Sequence, residues 1–130
     1  MNSNSFLEPE SITDKIIMVN VNQTYKDGMS EEETYEMVRG IWVVYIERAN
    51  LVDYVFAIFK GEIIEIYAPK IWQKAGETPY KFRDDLKDGI PENKKGRFEF
   101  IGSVASDAVR SLYVGKLINK WGQNPVRYNF

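Results

Sequence analysis

The sequence predicts a small α+β domain, with a curved, mostly antiparallel β-sheet or partly open barrel and two or three short helices. Apolar, aromatic-rich runs at 54–59 and 62–67 meet at Lys60-Gly61, as the two arms of a β-hairpin do. Ser30 and Glu33 form a capping box at the start of a helix that ends at Gly40. We expect the hairpin to be the central pair of the sheet and the helix to pack across one mouth of it.

The composition predicts one packed domain and excludes several kinds of site. The chain has 130 residues, of which 44% are hydrophobic and 14% aromatic, which is enough for one hydrophobic core. It contains no histidine and no cysteine. Disulfides, zinc–thiolate sites and nucleophiles activated by histidine are therefore excluded. The net charge of −2 provides no overall attraction to nucleic acid or to an anionic membrane.

The domain is expected to span residues 15–130, after a flexible N-terminal lead-in at 1–14. Residues 70–96 are polar and interrupted by glycines and prolines, which predicts a long loop. The first residues lack the basic and apolar regions of a signal peptide, and no apolar run reaches the about 18 residues of a membrane span. We therefore expect a cytoplasmic protein that does not contact a membrane.

Alternation and turn signals place the other elements. Residues 15–23 carry apolar side chains at every second position, which predicts a first strand. Further strands are predicted at 97–104 and 125–128, and short helices at 46–52 and 106–112. The last strand should dock beside the first strand or the 97–104 strand, since a proline suits the first position of a strand. The predicted core comprises Ile17, Val19, Val21, Tyr35, Val38, Val55, Ala57, Ile64, Ile66, Phe98, Phe100 and Leu117.

Aromatic rings and side-chain amides form the candidate site, because rings stack on flat bases and amides pair with base edges. The candidate ligand-binding residues are Arg39, Trp42, Tyr67, Trp72, Asn20, Gln123 and Asn124. The candidate phosphate contacts are the nearby cations Lys116, Lys120 and Arg127. Alternatively, the tryptophans belong to the core and Gln123-Asn124-Pro125 is an ordinary turn. The short basic cluster at 94–97 is interpreted as part of a solvated loop.

The order of these elements resembles that of the PUA-like superfamily of small barrels, which includes the ASCH, EVE and YTH domains. The resemblance rests on the early strand at 16–22, the helix ending near Arg39-Gly40-Ile41-Trp42 and the strand pair at 54–67, and it covers about residues 15–128. It implies a domain that binds nucleic acid, often a modified base flipped into an aromatic pocket between helix and barrel. It implies no catalytic residue.

We therefore expect a non-catalytic binding module for a nucleic-acid base, a nucleotide or a similar flat ligand, with no cofactor and no metal. One alternative is a protein-interaction or inhibitor protein, phage-encoded or defence-associated, that uses the 70–96 loop or an aromatic surface. The other is an enzyme that uses Glu62, Glu65 or Glu99 with a lysine. Glu62 and Glu65 fall on opposite strand faces, so they do not converge as a pair. The sequence specifies no oligomeric state.

Overall fold

The computed structural model describes residues 5–118 and 122–130. In these residues a mixed, unclosed sheet of eight strands packs with three α-helices. This confirms the predicted small α+β fold. Lys120, one of the predicted phosphate contacts, lies outside the described residues.

The strands are β1 (Phe6–Leu7), β2 (Ile16–Asn20), β3 (Gly40–Trp42), β4 (Tyr54–Phe59), β5 (Glu62–Lys74), β6 (Phe98–Val104), β7 (Leu117–Ile118) and β8 (Val126–Tyr128). The helices are α1 (Glu31–Arg39), α2 (Ile46–Ala49) and α3 (Asp107–Tyr113). Short 3₁₀ turns lie at Pro9–Ser11, Asp84–Leu86 and Glu92–Lys94.

The hairpin of β4 and β5 lies at the centre of the sheet, as predicted. The strand order is β1-β7-β5-β4-β2-β8, and β6 pairs with β5 on one side and with β3 on the other. Lys60 and Gly61 have φ angles of 50° and 81°, which the tight turn of a two-residue hairpin requires. β8 runs antiparallel to β2, with Val126 opposite Val19. The last strand therefore docks beside the first, which was one of its two predicted neighbours.

The strand β5 is longer than the sequence indicated. Its first half pairs with β4, and the stretch from Tyr67 to Lys74 pairs with β6. The register shifts between Pro69 and Ile71. Proline lacks the N–H of a regular ladder and is tolerated at a bulge, so Pro69 bends the strand where an end was expected. The irregular segment that follows begins at residue 75 and ends at residue 97.

Two apolar clusters form the core on opposite faces of the sheet. One cluster lies on the α1 side and includes Val19, Val55 and Phe100, and the other includes Met18 and Phe56. Of the predicted core residues, four are half-buried and the others are buried; the four are Tyr35, Ile64, Phe98 and Leu117. β2 alternates between both clusters because it lies inside the sheet, between β4 and β8.

The helix α1 begins at the predicted capping box. The Ser30 hydroxyl accepts the backbone N–H of Glu33, and the Glu33 carboxylate accepts the backbone N–H of Ser30, each at 3.1 Å. Three glutamates in the first turn face the positive end of the helix dipole. The helix ends at the buried Arg39 and continues directly into β3. No helix in the described part of the chain is long and apolar enough to cross a membrane.

Candidate functional site

Glu99 on β6 organises the segment that lies beside the candidate site. The side chain is fully buried, and its carboxylate accepts five hydrogen bonds of 2.6–3.1 Å. The donors are the side chains of Arg39, Gln73 and Tyr80 and the backbone N–H groups of Gly76 and Thr78. Burial opposes the charge, but these hydrogen bonds outweigh it and hold the pKa of Glu99 below its usual value. A carboxylate so fully engaged is a structural group rather than an acid or base.

Arg39, a predicted ligand-binding residue, is occupied by the same segment. It is 2% exposed and donates to Glu99 at 2.9 Å. Its other terminal nitrogen donates to the carbonyls of Thr78 and Pro79, at 3.2 and 2.9 Å. The guanidinium also lies 3.6 Å from the ring centroid of Tyr80. Both terminal nitrogens of this cation therefore already have partners within the protein.

A second set of contacts fixes residues 81–85 to α1. The carboxylate of Glu36 accepts the backbone N–H groups of Lys81 and Phe82 at 2.7–2.9 Å. Arg83 donates to the carbonyl of Gly40 at 2.7 Å and to both carboxylate oxygens of Asp85 at 3.0 Å. We call residues 75–97 the anchored loop, because buried ionic groups hold it against α1 and β6.

The anchored loop forms one wall of a groove that contains two predicted site residues. The opposite wall is the end of β2 and the segment after it, β3 forms part of the lining, and the volume is about 190 Å³. We call this cavity the polar groove. It is lined by Asn20, Gln23, Thr24, Gly40, Ile41, Trp42, Arg83, Lys94, Arg97 and Pro125.

A second cavity, which we call the outer cleft, adjoins the polar groove. The outer cleft has a volume of about 320 Å³ and shares four lining residues with the polar groove, namely Gln23, Thr24, Arg83 and Lys94. Small-molecule sites in proteins usually have volumes of about 300–1,000 Å³. The polar groove and the outer cleft together therefore provide room for a small flat ligand.

The polar groove carries positive charge. Its lining includes three cations and no carboxylate. Arg83 is engaged as described above, and the Nζ of Lys94 lies 3.9 Å from a carboxylate oxygen of Asp85. Arg97 is half-buried. Among the described residues its guanidinium has neither an ion pair nor a hydrogen bond, which leaves it available to an anion.

Asn20 and Trp42 are the two predicted site residues that the fold brings together in this groove. The side-chain oxygen of Asn20 accepts the backbone N–H of Asn22 at 2.9 Å, and its NH₂ group has no partner in the described residues. Trp42 is 8% exposed, and its indole N–H donates to the carbonyl of Val38 at 2.7 Å. Trp42 therefore contributes ring surface to the groove, whereas Asn20 contributes a hydrogen-bond donor.

Tyr67 and Trp72 do not reach the polar groove. They are 2% and 3% exposed and pack with Trp42 in the core cluster on the α1 side. Tyr67 also lines a separate cavity between the start of α1 and β5. Burial, together with the nearby Glu65, raises the pKa of Tyr67 far above its ordinary value, so the phenol keeps its proton.

The remaining predicted residues lie near the C-terminal strand or away from both the polar groove and the outer cleft. Asn124 lines a third cavity of about 410 Å³. We call this cavity the aromatic shelf; it is lined by Val43, Val44, Tyr45, Arg48, Asn124, Val126 and Tyr128. Gln123 is exposed. Lys116 lies 3.3 Å from the hydroxyl of Ser5, and Arg127 lies 3.4 Å from Glu10.

Sequence reasoning missed Gln23, Thr24 and Arg97. Gln23 is the last residue of the predicted first strand and Thr24 follows it, and nothing in the local pattern there marks a wall of a cavity. Arg97 belongs to the basic cluster at 94–97, which did carry a signal but was interpreted as a solvated loop. Glu36 and Glu99 anchor residues 76–85, which helps to hold this loop in place as one wall of the groove.

Comparison of the chain with family models, curated proteins and solved structures found no match in any of the three.

Proposed function

We propose that the protein is a non-catalytic binding module for a nucleic-acid base or nucleotide, and that the polar groove holds this ligand. The base would lie at the Asn20 and Trp42 end, with its phosphate at Arg97 and Lys94. The observation that carries the proposal is Arg97, a half-buried residue whose guanidinium has no partner among the described residues, in a groove whose lining includes no carboxylate.

The charge argument is one of compensation. A cation that is partly removed from water loses solvation, and an anion that accepts its hydrogen bonds restores it. Phosphate suits a guanidinium because two of its oxygens can accept parallel N–H donors. Lys94 adds a second positive charge at the same wall.

The amides supply the complementary argument for a base. Asn20 and Gln23 line the groove, and each carboxamide group offers both donors and an acceptor, as the edge of a base does. Trp42 adds apolar ring surface beside them. These features agree with the resemblance to PUA-like domains, which remains part of the proposal.

A calorimetric titration with the four nucleoside monophosphates and the matching nucleosides tests the proposal. The informative pair of variants is Arg97→Gln and Lys95→Gln, which remove one positive charge each from the same basic cluster. Lys95 lines neither the polar groove nor the outer cleft, and it pairs with Glu92 at 3.2 Å on the surface. We expect Arg97→Gln to weaken nucleotide binding about tenfold or more, as loss of a hydrogen bond to a charged group does, and Lys95→Gln to leave it unchanged.

Two outcomes would contradict the proposal. If the unmodified protein binds none of the nucleotides or nucleosides, the groove has another role. If Arg97→Gln and Lys95→Gln weaken binding equally, the attraction is a general effect of charge and not contact in the groove.

The anchored loop supports a second candidate function, binding of a protein partner. Glu36 and Glu99 hold the loop in place, and its exposed turn includes Lys87 and Asp88. A surface that is already ordered loses less entropy when a partner binds. Deleting the loop would remove the hydrogen bonds that its residues make with the buried Arg39–Glu99 pair. The charge-reversed variant Lys87→Glu/Asp88→Lys is therefore the better test. A stoichiometric partner that co-purifies with the protein and is lost from this variant would favour the second function, and a partner retained by it would exclude this surface.

A further inference from the structure

We propose that the natural ligand is a single-stranded nucleic acid rather than a free nucleotide, and that the aromatic shelf binds the base next to the one in the polar groove. This inference rests on the proposed function of the groove and extends it to a second subsite on the same strand.

The first argument is that the two cavities are neighbours. Trp42 lines the polar groove, and the next residue, Val43, lines the aromatic shelf. On the other side of the chain, Pro125 lines the groove, and its neighbours Asn124 and Val126 line the shelf. In two separate segments, neighbouring residues thus line different cavities, so the two cavities are adjacent. Neighbouring Cα atoms lie about 3.8 Å apart along the chain, and we place adjacent nucleotides of one strand in these neighbouring cavities.

The second argument is the chemistry of the shelf. Tyr45 is 79% exposed and Val43 is 68% exposed, although large apolar side chains usually gain from burial. The guanidinium of Arg48 lies close to two rings, 4.0 Å from the centroid of Tyr128 and 4.9 Å from that of Phe130. Among the described residues Arg48 has no carboxylate partner, and an exposed tyrosine beside such an arginine is a combination on which unpaired bases stack in single-strand binding proteins.

The third argument is the distribution of charge. The residues that line the groove and the shelf include four cations, Arg48, Arg83, Lys94 and Arg97, and no carboxylate. The whole chain has 19 acidic and 17 basic residues, so this segregation of charge is local. Two neighbouring cavities whose linings include cations and no carboxylate suit a polyanion. A duplex is disfavoured as the ligand because its bases are stacked and paired, so their faces cannot reach Tyr45.

Fluorescence anisotropy with labelled, mixed-sequence DNA and RNA octamers tests the inference, together with competition by nucleoside monophosphates. The variant is Tyr45→Ala, whose ring is too exposed to contribute much to folding. The control is Phe6→Ala, another exposed aromatic residue, 63% exposed on β1 and absent from both cavities. We expect the unmodified protein to bind single-stranded octamers more tightly than any mononucleotide. Tyr45→Ala should weaken octamer binding about fivefold or more and leave mononucleotide binding unchanged, whereas Phe6→Ala should change neither.

The outcomes separate this inference from the proposed function. If Tyr45→Ala leaves octamer binding unchanged while Arg97→Gln weakens it, the groove keeps its function and the second subsite is wrong. If Tyr45→Ala weakens octamer binding and Arg97→Gln does not, the shelf acts without the groove, and both the proposed function and the two-site strand are wrong. Duplex binding at least as tight as single-strand binding would also overturn the inference. Preference for DNA or for RNA would identify the strand.

Discussion

The guanidinium of Arg39, at the end of α1, donates a 2.9 Å hydrogen bond to the carboxylate of Glu99 on β6, and both side chains are buried. Around this pair the backbone of residues 76–80 supplies further donors and acceptors. The helix, the sheet and the anchored loop therefore meet at a single ionic centre. The polar groove depends on it, because Arg83 and Arg97 reach the groove from the loop.

Removing the negative charge of Glu99 should destabilise the fold strongly. Glu99→Gln leaves Arg39 charged and buried without its counter-ion, which typically costs about 3–5 kcal/mol in the free energy of unfolding. Urea unfolding at neutral pH measures this loss. Glu92→Gln is the matched control, since Glu92 pairs with Lys95 on the surface; its effect should stay within about 0.5 kcal/mol. Equal effects of the two substitutions would show that the ionic centre does not stabilise the fold.

The contribution of Glu99 should depend on pH with a defined sign. Its pKa is lower in the folded protein than in the unfolded chain, so the unfolded chain takes up the proton first as the pH falls. The stabilisation by the carboxylate is therefore complete above the unfolded pKa of about 4.3 and is lost at lower pH. Unfolding free energies from pH 7 to pH 3 should show the difference between the unmodified protein and Glu99→Gln shrinking on acidification. A difference that stays constant would mean that the folded pKa of Glu99 is not lowered.

A charge at the centre of the sheet should prevent folding. Val55 on β4 is fully buried, and an unpaired carboxylate there costs several kcal/mol, which is comparable with the stability of a whole domain of about 5–15 kcal/mol. We expect Val55→Asp to lose its cooperative thermal transition. Leu51→Asp is the control, because Leu51 is 57% exposed and should tolerate the substitution. A cooperatively folded Val55→Asp protein would contradict the core assignment.

Asn124 should contribute to stability through β8 as well as to the aromatic shelf. Its side-chain oxygen accepts the backbone N–H of Val126 at 2.9 Å. Asn124→Ala removes this acceptor and should lower the free energy of unfolding by about 1–3 kcal/mol. Asn124→Asp keeps an oxygen acceptor and should retain most of the stability, while its negative charge should weaken octamer binding at the cation-lined shelf.

Both Asn124 variants require stability and binding to be measured on the same sample. If the folded fraction of Asn124→Ala and of Asn124→Asp binds octamers normally, Asn124 is only a turn residue and does not belong to the site.

Local chemistry made several elements predictable from sequence. Ser30 and Glu33 specify the start of α1 because both partners of the capping box lie within four residues. The Lys60-Gly61 turn specifies the hairpin for the same reason. Pro125 indicated where β8 begins, because proline cannot donate to a ladder. The strand beside β8 could be narrowed to two candidates, one of which is β2.

The buried ionic centre and the groove could not be predicted in this way. Arg39 and Glu99 are 60 positions apart, and nothing local distinguishes them from solvated surface charges. Arg39 was therefore predicted to bind a ligand, although the anchored loop already binds its guanidinium. Arg97 lines the groove, although it was assigned to a solvated loop. Only the three-dimensional arrangement shows which cation has a partner.

Nuclear magnetic resonance of ¹⁵N-labelled protein, titrated with the nucleoside monophosphates, tests most directly whether a ligand occupies the polar groove. The side-chain NH₂ signals of Asn20 and Gln23 and the Nε–H signal of Arg97 should shift together and saturate at one ligand concentration. The side-chain NH₂ signal of Gln73, which donates to Glu99 and Thr78 away from the groove, should stay in place. Unchanged signals from Asn20, Gln23 and Arg97 at saturating nucleotide, or shifts confined to the cavity around Tyr67, would show that the polar groove is not the binding site.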